Sequence, residues 1–211
     1  MACNDTTEHD ADDCLGVAIL GGTALVVMVL KDRTYAPSAP YTPRDQPDRD
    51  VAVVYYSRSG HSEGVAREIA RTFNAPIARI EADYPRNFVG QAKAIKDARA
   101  ETLAIRVESL DLAPARRIFM VSPTWMFRPA TPLWAYVEQT DLTGKHVVLV
   151  MTGNSRYEQI EIDAFAAPVK ARGGHLVRHV FLRRGRIFWQ KSRETLLREV
   201  REQLRAEVEG R

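Results

Sequence analysis

The chain has 211 residues, of which 45% are hydrophobic and 27% are charged, and its formal net charge is +3. A chain of this size supports one domain with a substantial core plus an appendage, and nothing in the composition suggests a second domain. Both cysteines, Cys3 and Cys14, precede the globular part, which excludes a disulfide, a thiol nucleophile and a thiolate metal site from that part.

Residues 1–13 form an acidic tail with five carboxylate side chains and no lysine or arginine. Because the whole chain carries +3, the remaining residues carry +8. A basic body can favour anionic lipid, an acidic partner or nucleic acid, although scattered solvated charges are the more common explanation. The sequence contains no nucleic-acid-binding motif, so we expect no nucleic-acid partner.

Residues 14–30 form an uncharged apolar run of 17 residues, CLGVAILGGTALVVMVL. This length lies at the lower limit of the roughly 17–25 residues that a membrane-spanning helix needs. The polar, proline-rich linker 31–50 is expected to tether this run rather than pack it, and a lone apolar helix on a tether needs lipid. Lysine and arginine follow the run and none precedes it, so the positive-inside rule predicts a single-pass anchor with the C-terminal domain in the cytoplasm. The alternative is a helix docked back onto the domain.

From residue 51 onward, apolar runs of strand length alternate with segments of helical period. This pattern predicts an α/β domain over residues 51–211, a doubly wound parallel five-stranded sheet with helices on both faces. Strands are predicted at residues 51–56, 77–81, 117–122, 146–151 and 175–182. Helices are predicted at residues 62–73, 87–99, 131–139, 157–172 and 189–207. The extra segment 83–107 is expected to form a helical excursion over one face of the sheet.

The first strand ends in a turn rich in hydroxyl groups, YSRSGHS, which a helical pattern follows at once. The unpaired N–H groups and the positive dipole end of a helix N-terminus attract anions. Glycine lets the backbone approach an anion, and serine, arginine and histidine can add hydrogen bonds or charge. We therefore predict a phosphate-binding loop formed by Ser57, Arg58, Ser59, Gly60, His61 and Ser62. The alternative is a turn that only caps the helix, with Ser62 as the N-cap.

Two further loops leave the third and fourth strands at the edge of the sheet where ligands of doubly wound folds bind. Residues 122–132 contain three prolines and two aromatic residues that could stack on a planar ring, or could instead cover the sheet edge. Residues 151–158 offer hydrogen-bond partners to a heteroaromatic edge, although Gly153-Asn154 is also a common turn. We predict ligand contacts from Ser122, Pro123, Thr124, Trp125, Met126, Phe127, Thr152, Gly153, Asn154 and Tyr157.

Four features in order, YSRSGHS, DYP, SPTW with two later prolines, and DLTGKHVVLVMTGN, together resemble the flavodoxin-like family over about residues 51–182. The resemblance implies the strand order 2-1-3-4-5 and a flavin mononucleotide (FMN) site. It places the FMN phosphate on residues 57–62 and the isoalloxazine between residues 122–127 and 152–157, with Trp125 and Tyr157 as stacking partners. Further glycines often follow the threonine of the third loop in this family, where this chain has Asn154, Ser155 and Arg156.

The resemblance and the apolar run together predict a membrane-anchored, FMN-binding protein for electron transfer, or an oxidoreductase that reduces a quinone-like acceptor with NAD(P)H. The flavin would carry the redox chemistry, so no catalytic side chain is required, and we identify neither a catalytic residue nor a metal-ligand cluster. The expected partners are a redox protein or a small-molecule acceptor, together with the membrane. The alternative function is a flavin-free flavodoxin-fold interaction module at the membrane.

Overall fold

The computed structural model describes residues 35–100, 103–185 and 189–209, together with Thr23, Val26 and Val27. The acidic tail 1–13 lies outside the described residues, and so does the predicted anchor 14–30 apart from those three residues. Within the described part of the chain, no helix combines the length and the apolar character needed to cross a membrane.

The described residues between 35 and 209 form seven strands and five α-helices, and a 3₁₀ turn at Asp97–Arg99 follows the second of these helices. The strands are β1 (Val51–Tyr56), β2 (Ile77–Glu81), β3 (Arg106–Val107), β4 (Arg117–Trp125), β5 (Arg128–Pro129), β6 (His146–Gly153) and β7 (His175–Arg183). The helices are α1 (His61–Phe73), α2 (Phe88–Lys96), α3 (Thr131–Gln139), α4 (Gln159–Ala171) and α5 (Arg193–Glu209).

The sheet has the order β3-β2-β1-β4-β6-β7, with β5 paired to β4. The five strands predicted from the sequence are β2, β1, β4, β6 and β7, and all neighbouring pairs among them are parallel. The predicted α/β fold and the order 2-1-3-4-5 are therefore confirmed. The strands β3 and β5 pair antiparallel to β2 and β4 and were not predicted, because a two-residue strand has no periodic signal.

Side chains of the central strands alternate between two cores because successive residues of a strand point to opposite faces. On one face, Val53 and Phe119 pack with α1 and α5, and the ring of Phe119 stacks on Phe73 with centroids 5.0 Å apart. On the other face, Val54 and Met120 pack with α3 and α4. Burying each large apolar side chain contributes about 1.5–3 kcal/mol. This packing fixes the carboxyl ends of β1, β4 and β6 side by side at one rim of the sheet.

The described part of the linker, residues 35–50, packs on the domain. The hydroxyl of Tyr41 donates to the carbonyl of Ala75 (3.2 Å). The backbone N–H of Arg44 donates to the side-chain oxygen of Asn74 (2.7 Å), and the N–H of Asp48 donates to the backbone carbonyl of Asn74 (3.0 Å). Asn74 has a left-handed conformation just after α1, and this geometry presents its polar groups to the linker. Residues 35–50 therefore run along α1.

Candidate functional site

The turn between β1 and α1 has the geometry of an anion-binding loop. Gly60 adopts a left-handed conformation with φ of 87°, and no side chain among the described residues caps the start of α1. The first bond within the helix runs from Gly64 N–H to the Gly60 carbonyl (3.0 Å). The N–H groups of residues 61–63 therefore have no intrahelical acceptor, and the positive end of the helix dipole lies beside them.

Ser62 is not the helix N-cap, so the alternative of a capping-only turn is wrong in that detail. The Ser62 hydroxyl lies 2.8 Å from the hydroxyl of Thr152, at the end of β6. The loop is shaped instead by Ser57, whose hydroxyl accepts a hydrogen bond from Gly60 N–H (3.1 Å). The first and third predicted loops are thus joined directly, across ninety residues of sequence.

The three predicted loops enclose a cleft of about 110 Å³ at the carboxyl rim of the sheet. Two of its lining residues, Gln91 and Arg184, were not anticipated from the sequence. Neither residue stands in a recognisable motif. Gln91 lies in the excursion, and Arg184 follows β7. The predicted contacts that line the cleft are Arg58, Ser59, His61, Ser62, Pro123, Thr124, Trp125, Thr152, Gly153 and Asn154.

The electrostatics of the cleft favour an anion. Two arginines, Arg58 and Arg184, are among its lining residues, and no carboxylate is among them. Burial, together with the nearby positive charges of Arg184 and Arg193, lowers the pKa of His61 to about 4. Its buried Nδ1 atom has no hydrogen-bond partner among the described residues. The imidazole is therefore neutral at neutral pH, and a bound anion would favour its protonated form.

Arg58 holds the helical excursion against the cleft. Its guanidinium donates to the carbonyls of Pro85 (2.8 Å) and Asn87 (3.2 Å) and to the side-chain oxygen of Gln91. Asn87 in turn caps α2 by accepting from Gly90 N–H (2.9 Å). Arg58 therefore supplies positive charge to the cleft, while these bonds direct its donors toward the excursion.

Trp125 is the aromatic side chain that reaches the cleft. Its ring makes edge contacts with Tyr56 (centroids 5.6 Å apart) and with Tyr84 (4.8 Å). These contacts fix the indole at the end of β4, where the β4–β5 pairing holds the backbone. The sequence suggested a loop at this point, whereas the structure makes Trp125 the last residue of a strand.

Tyr157 has a different environment from the one the sequence suggested. Its ring packs on His179 (4.5 Å) and Phe181 (5.2 Å) of β7, and it does not line the cleft. Phe127 lies under the guanidinium of Arg156 (4.7 Å). The predicted contacts outside the cleft lining are Ser57, Gly60, Ser122, Met126, Phe127 and Tyr157.

A larger cavity of about 580 Å³ lies beside the cleft, between the end of β2 and the excursion. Ser57 and Arg58 line it, together with several tyrosine and arginine side chains. Unlike the cleft, it also includes the carboxylates Glu81 and Asp83. The donor groups of the smaller cleft, rather than its volume, make it the better candidate for an anionic ligand.

Comparisons with known proteins show similarity of fold. The sequence matches no family model and no curated protein. The flavoprotein of Lactobacillus acidophilus NCFM, in complex with FMN, is 17% identical, with a TM-score of 0.54 over 64% of this chain and 93% of that one. A candidate flavoprotein of Bacteroides uniformis ATCC 8492 is 16% identical, with a TM-score of 0.56 over 72% and 97% of the two chains. Another, from Bacteroides eggerthii DSM 20697, is 14% identical, with a TM-score of 0.55 over 74% and 96%.

Proposed function

We propose that this chain, which has the flavodoxin-like fold, binds FMN through the phosphate group and acts as a redox protein. The observation that carries the proposal is the cleft at the start of α1. There, uncapped N–H groups, serine hydroxyls and a histidine converge, and no carboxylate is among the residues that line the cleft. The buried carboxylate of Glu63, in the first turn of α1, pairs instead with Arg67 (2.6 Å). Such donors at a helix N-terminus bind phosphate groups, and the site lies where ligands of doubly wound sheets bind.

The residues of the cleft fit the phosphate end of FMN. The N–H groups of residues 61–63 can donate to phosphate oxygens, and so can the hydroxyls of Ser59 and Ser62. His61 has a buried nitrogen without a partner among the described residues, so it can donate once protonated. Bound flavin would supply electron- or hydride-transfer chemistry. The protein's part is to orient the nucleotide and to exclude water from it.

The ring end of FMN would be oriented by groups at the rim of the cleft. Trp125 offers an indole held in place by two tyrosines, and Asn154 offers an amide to a heteroaromatic edge. Tyr157 is already packed on His179 and Phe181. We therefore assign the aromatic contact with the flavin to Trp125 and not to Tyr157.

An FMN titration of the purified full chain tests this function. We expect a yellow protein, or a colourless one that quenches the fluorescence of added FMN with saturable binding. If NAD(P)H alone bleaches the bound flavin without oxygen, the protein is a reductase, possessing its own nicotinamide site. If bleaching requires another protein, it is an electron shuttle. A colourless protein that ignores FMN contradicts the proposal.

An interaction module is the second candidate, and the small size of the cleft favours it. Ligand pockets commonly have volumes of roughly 300–1,000 Å³, whereas the cleft measures about 110 Å³. A flavin-free protein would use its basic surface to recruit an acidic partner. The same titration separates the candidates, because a module stays colourless in excess FMN.

We also propose that residues 14–30 anchor the protein in a membrane, with the domain in the cytoplasm near lipid-soluble acceptors such as quinones. The supports are the uncharged apolar run and the lysine and arginine residues that follow it. Trypsin added to inverted vesicles of a bacterial host should cleave the domain, and trypsin added to intact spheroplasts should not. Cleavage in intact spheroplasts would overturn this orientation.

A further inference from the structure

A short segment before β1 crosses the phosphate loop, and we call this segment, residues 35–39, the strap. The N–H of Ala36 donates to the carbonyl of Ser59 (3.2 Å). The Ala36 carbonyl oxygen lies only 2.3 Å from the position that a Cβ atom would occupy on Gly60. Any side chain at residue 60 would therefore displace the strap. The glycine of the loop thus serves contact with the strap as well as the left-handed turn.

Arg193, the first residue of α5, joins the strap to the loop. Its guanidinium donates to three backbone carbonyls, those of Pro37 (2.5 Å), Ala36 (2.6 Å) and Gly60 (2.8 Å). A planar guanidinium with several fixed donors can make such a set of bonds, whereas an ammonium group lacks this geometry. The segment before β1 and the start of α5 therefore meet at the phosphate loop.

Glycine and a second arginine complete this contact on α1. A Cβ atom on Gly64 would lie 3.2 Å from Nε of Arg193 and 3.3 Å from the hydroxyl oxygen of Ser38. Gly60 and Gly64 are one helical turn apart, so they leave a flat surface for the strap. Arg67 donates to the carbonyls of Ser38 (2.8 Å) and Ala39 (2.9 Å).

The bond from Arg193 to the Gly60 carbonyl (2.8 Å) reinforces the orientation of a donor of the anion site, and the helical bond from Gly64 N–H to the same carbonyl (3.0 Å) supports it from the other side. In a trans peptide the carbonyl and the following N–H point in opposite directions. Holding the Gly60 carbonyl toward Arg193 therefore directs the N–H of His61 away from Arg193. The strap packs against the same peptide from outside and limits its rotation.

We infer that Arg193 is a positioning residue for the phosphate site, and that it acts by clamping the strap onto the loop. This inference rests on the proposed binding of FMN. The clamp holds the N–H groups of the loop in their binding orientation before the ligand arrives, which reduces the ordering cost of binding. It also makes the strap, which precedes β1, a structural support of the site.

The test compares Arg193→Met and Arg193→Lys with Arg198→Met in the full chain. Arg198 lies on the same helix and is exposed, and its ion pair within the described part of the chain is a long one, to Glu202 (3.9 Å). We expect about tenfold weaker FMN binding in both Arg193 variants, equivalent to about 1.4 kcal/mol. The affinity of the control should not change. Lysine keeps the positive charge but lacks the planar guanidinium that bonds three carbonyls. If lysine does not restore FMN affinity, the role of Arg193 is to clamp the strap and not only to supply charge.

Two further measurements identify a positioning role. Riboflavin lacks the phosphate, so its affinity should stay unchanged in the Arg193 variants, whereas general unfolding would weaken both ligands. Hydrogen exchange at the Ala36 amide should become faster, because the strap is released. Gly64→Met should also weaken FMN binding and speed exchange at Ala36, since the methionine side chain pushes the strap outward while Arg193 keeps its charge.

The outcomes separate the clamp from the function on which it rests. If the wild type does not bind FMN, the proposed function fails, and the positioning role fails with it. If the wild type binds FMN but the Arg193 variants bind it equally well, the clamp is overturned and the function stands. Equal loss of FMN and riboflavin, or exchange at Ala36 that does not change, also overturns the clamp.

Discussion

Replacing Ser59 with aspartate is expected to abolish most FMN binding, because it places a carboxylate in a cleft that attracts anions. Ser59 is only half-buried and lines the cleft, so the new side chain can be accommodated without disturbing the core. Two like charges 4 Å apart repel by about 4 kcal/mol at the effective dielectric constant of a protein surface. Relaxation of the side chain will reduce this repulsion. We expect a loss of at least about hundredfold in affinity, measured by quenching of FMN fluorescence.

Ser59→Asn is the matched control for this substitution. Asparagine has nearly the shape of aspartate but carries no charge, so its affinity for FMN should fall by a few-fold at most. The aspartate variant should also regain part of its affinity at high salt, because salt screens partly exposed charges. Equal affinities of the two variants would show that the FMN phosphate does not bind at this loop.

Replacing Glu161 with glutamine is expected to destabilise the protein by about 2 kcal/mol, since it removes a buried negative charge that forms ion pairs with two arginines. Glu161 is 6% exposed and lies in the first turn of α4. Its carboxylate accepts from Arg99 (2.5 Å), in the 3₁₀ turn of the excursion, and pairs with Arg128 of β5 (3.1 Å). The Arg128 guanidinium also lies over the ring of Trp134 at 4.1 Å, so it stays buried when its partner is lost.

The contribution of Glu161 can be measured by urea unfolding of the full chain, followed by tryptophan fluorescence. Asp163→Asn is the control, because Asp163 is an exposed residue of the same helix whose hydrogen bond is to Gln159 (2.8 Å). The control should change the free energy of unfolding by less than about 0.5 kcal/mol. If both variants lose the same small amount, Glu161 does not hold the excursion and the β4–β5 pair to α4.

Most of the fold could be predicted from the sequence because the central strands are continuous apolar runs. The boundaries of β1 and β2 agree with the prediction, and each run ends where polar residues or turn residues begin. The position of the phosphate loop follows from the same local pattern, since Gly60 and the neighbouring serines stand between a buried strand and an amphipathic helix. The length of β4 was underestimated, because its last residues pair with a strand too short to show a pattern.

The candidate site could be predicted only in part, because side-chain partners depend on distant segments. Trp125 and Tyr157 were equivalent candidates for an aromatic contact in the sequence. The structure distinguishes them, since Tyr157 has the apolar neighbours Phe181 and His179 on β7 whereas Trp125 reaches the cleft. The linker likewise has a composition typical of a tether. Its packing on α1 depends on the polar groups of Asn74 and Arg67, which no local pattern could reveal.

The sequence by itself determined the order of strands and helices, the loop at the end of β1, and the charge that favours an anion there. These properties depend on neighbouring residues, on hydrophobic periodicity and on the conformational freedom of glycine, all of which are local. The tertiary structure alone decided that Arg193 and Ala36 meet at Gly60 and that Gln91 and Arg184 line the cleft. Such contacts join residues far apart in the chain, and they form only when burial of the two cores brings the helices and strands together.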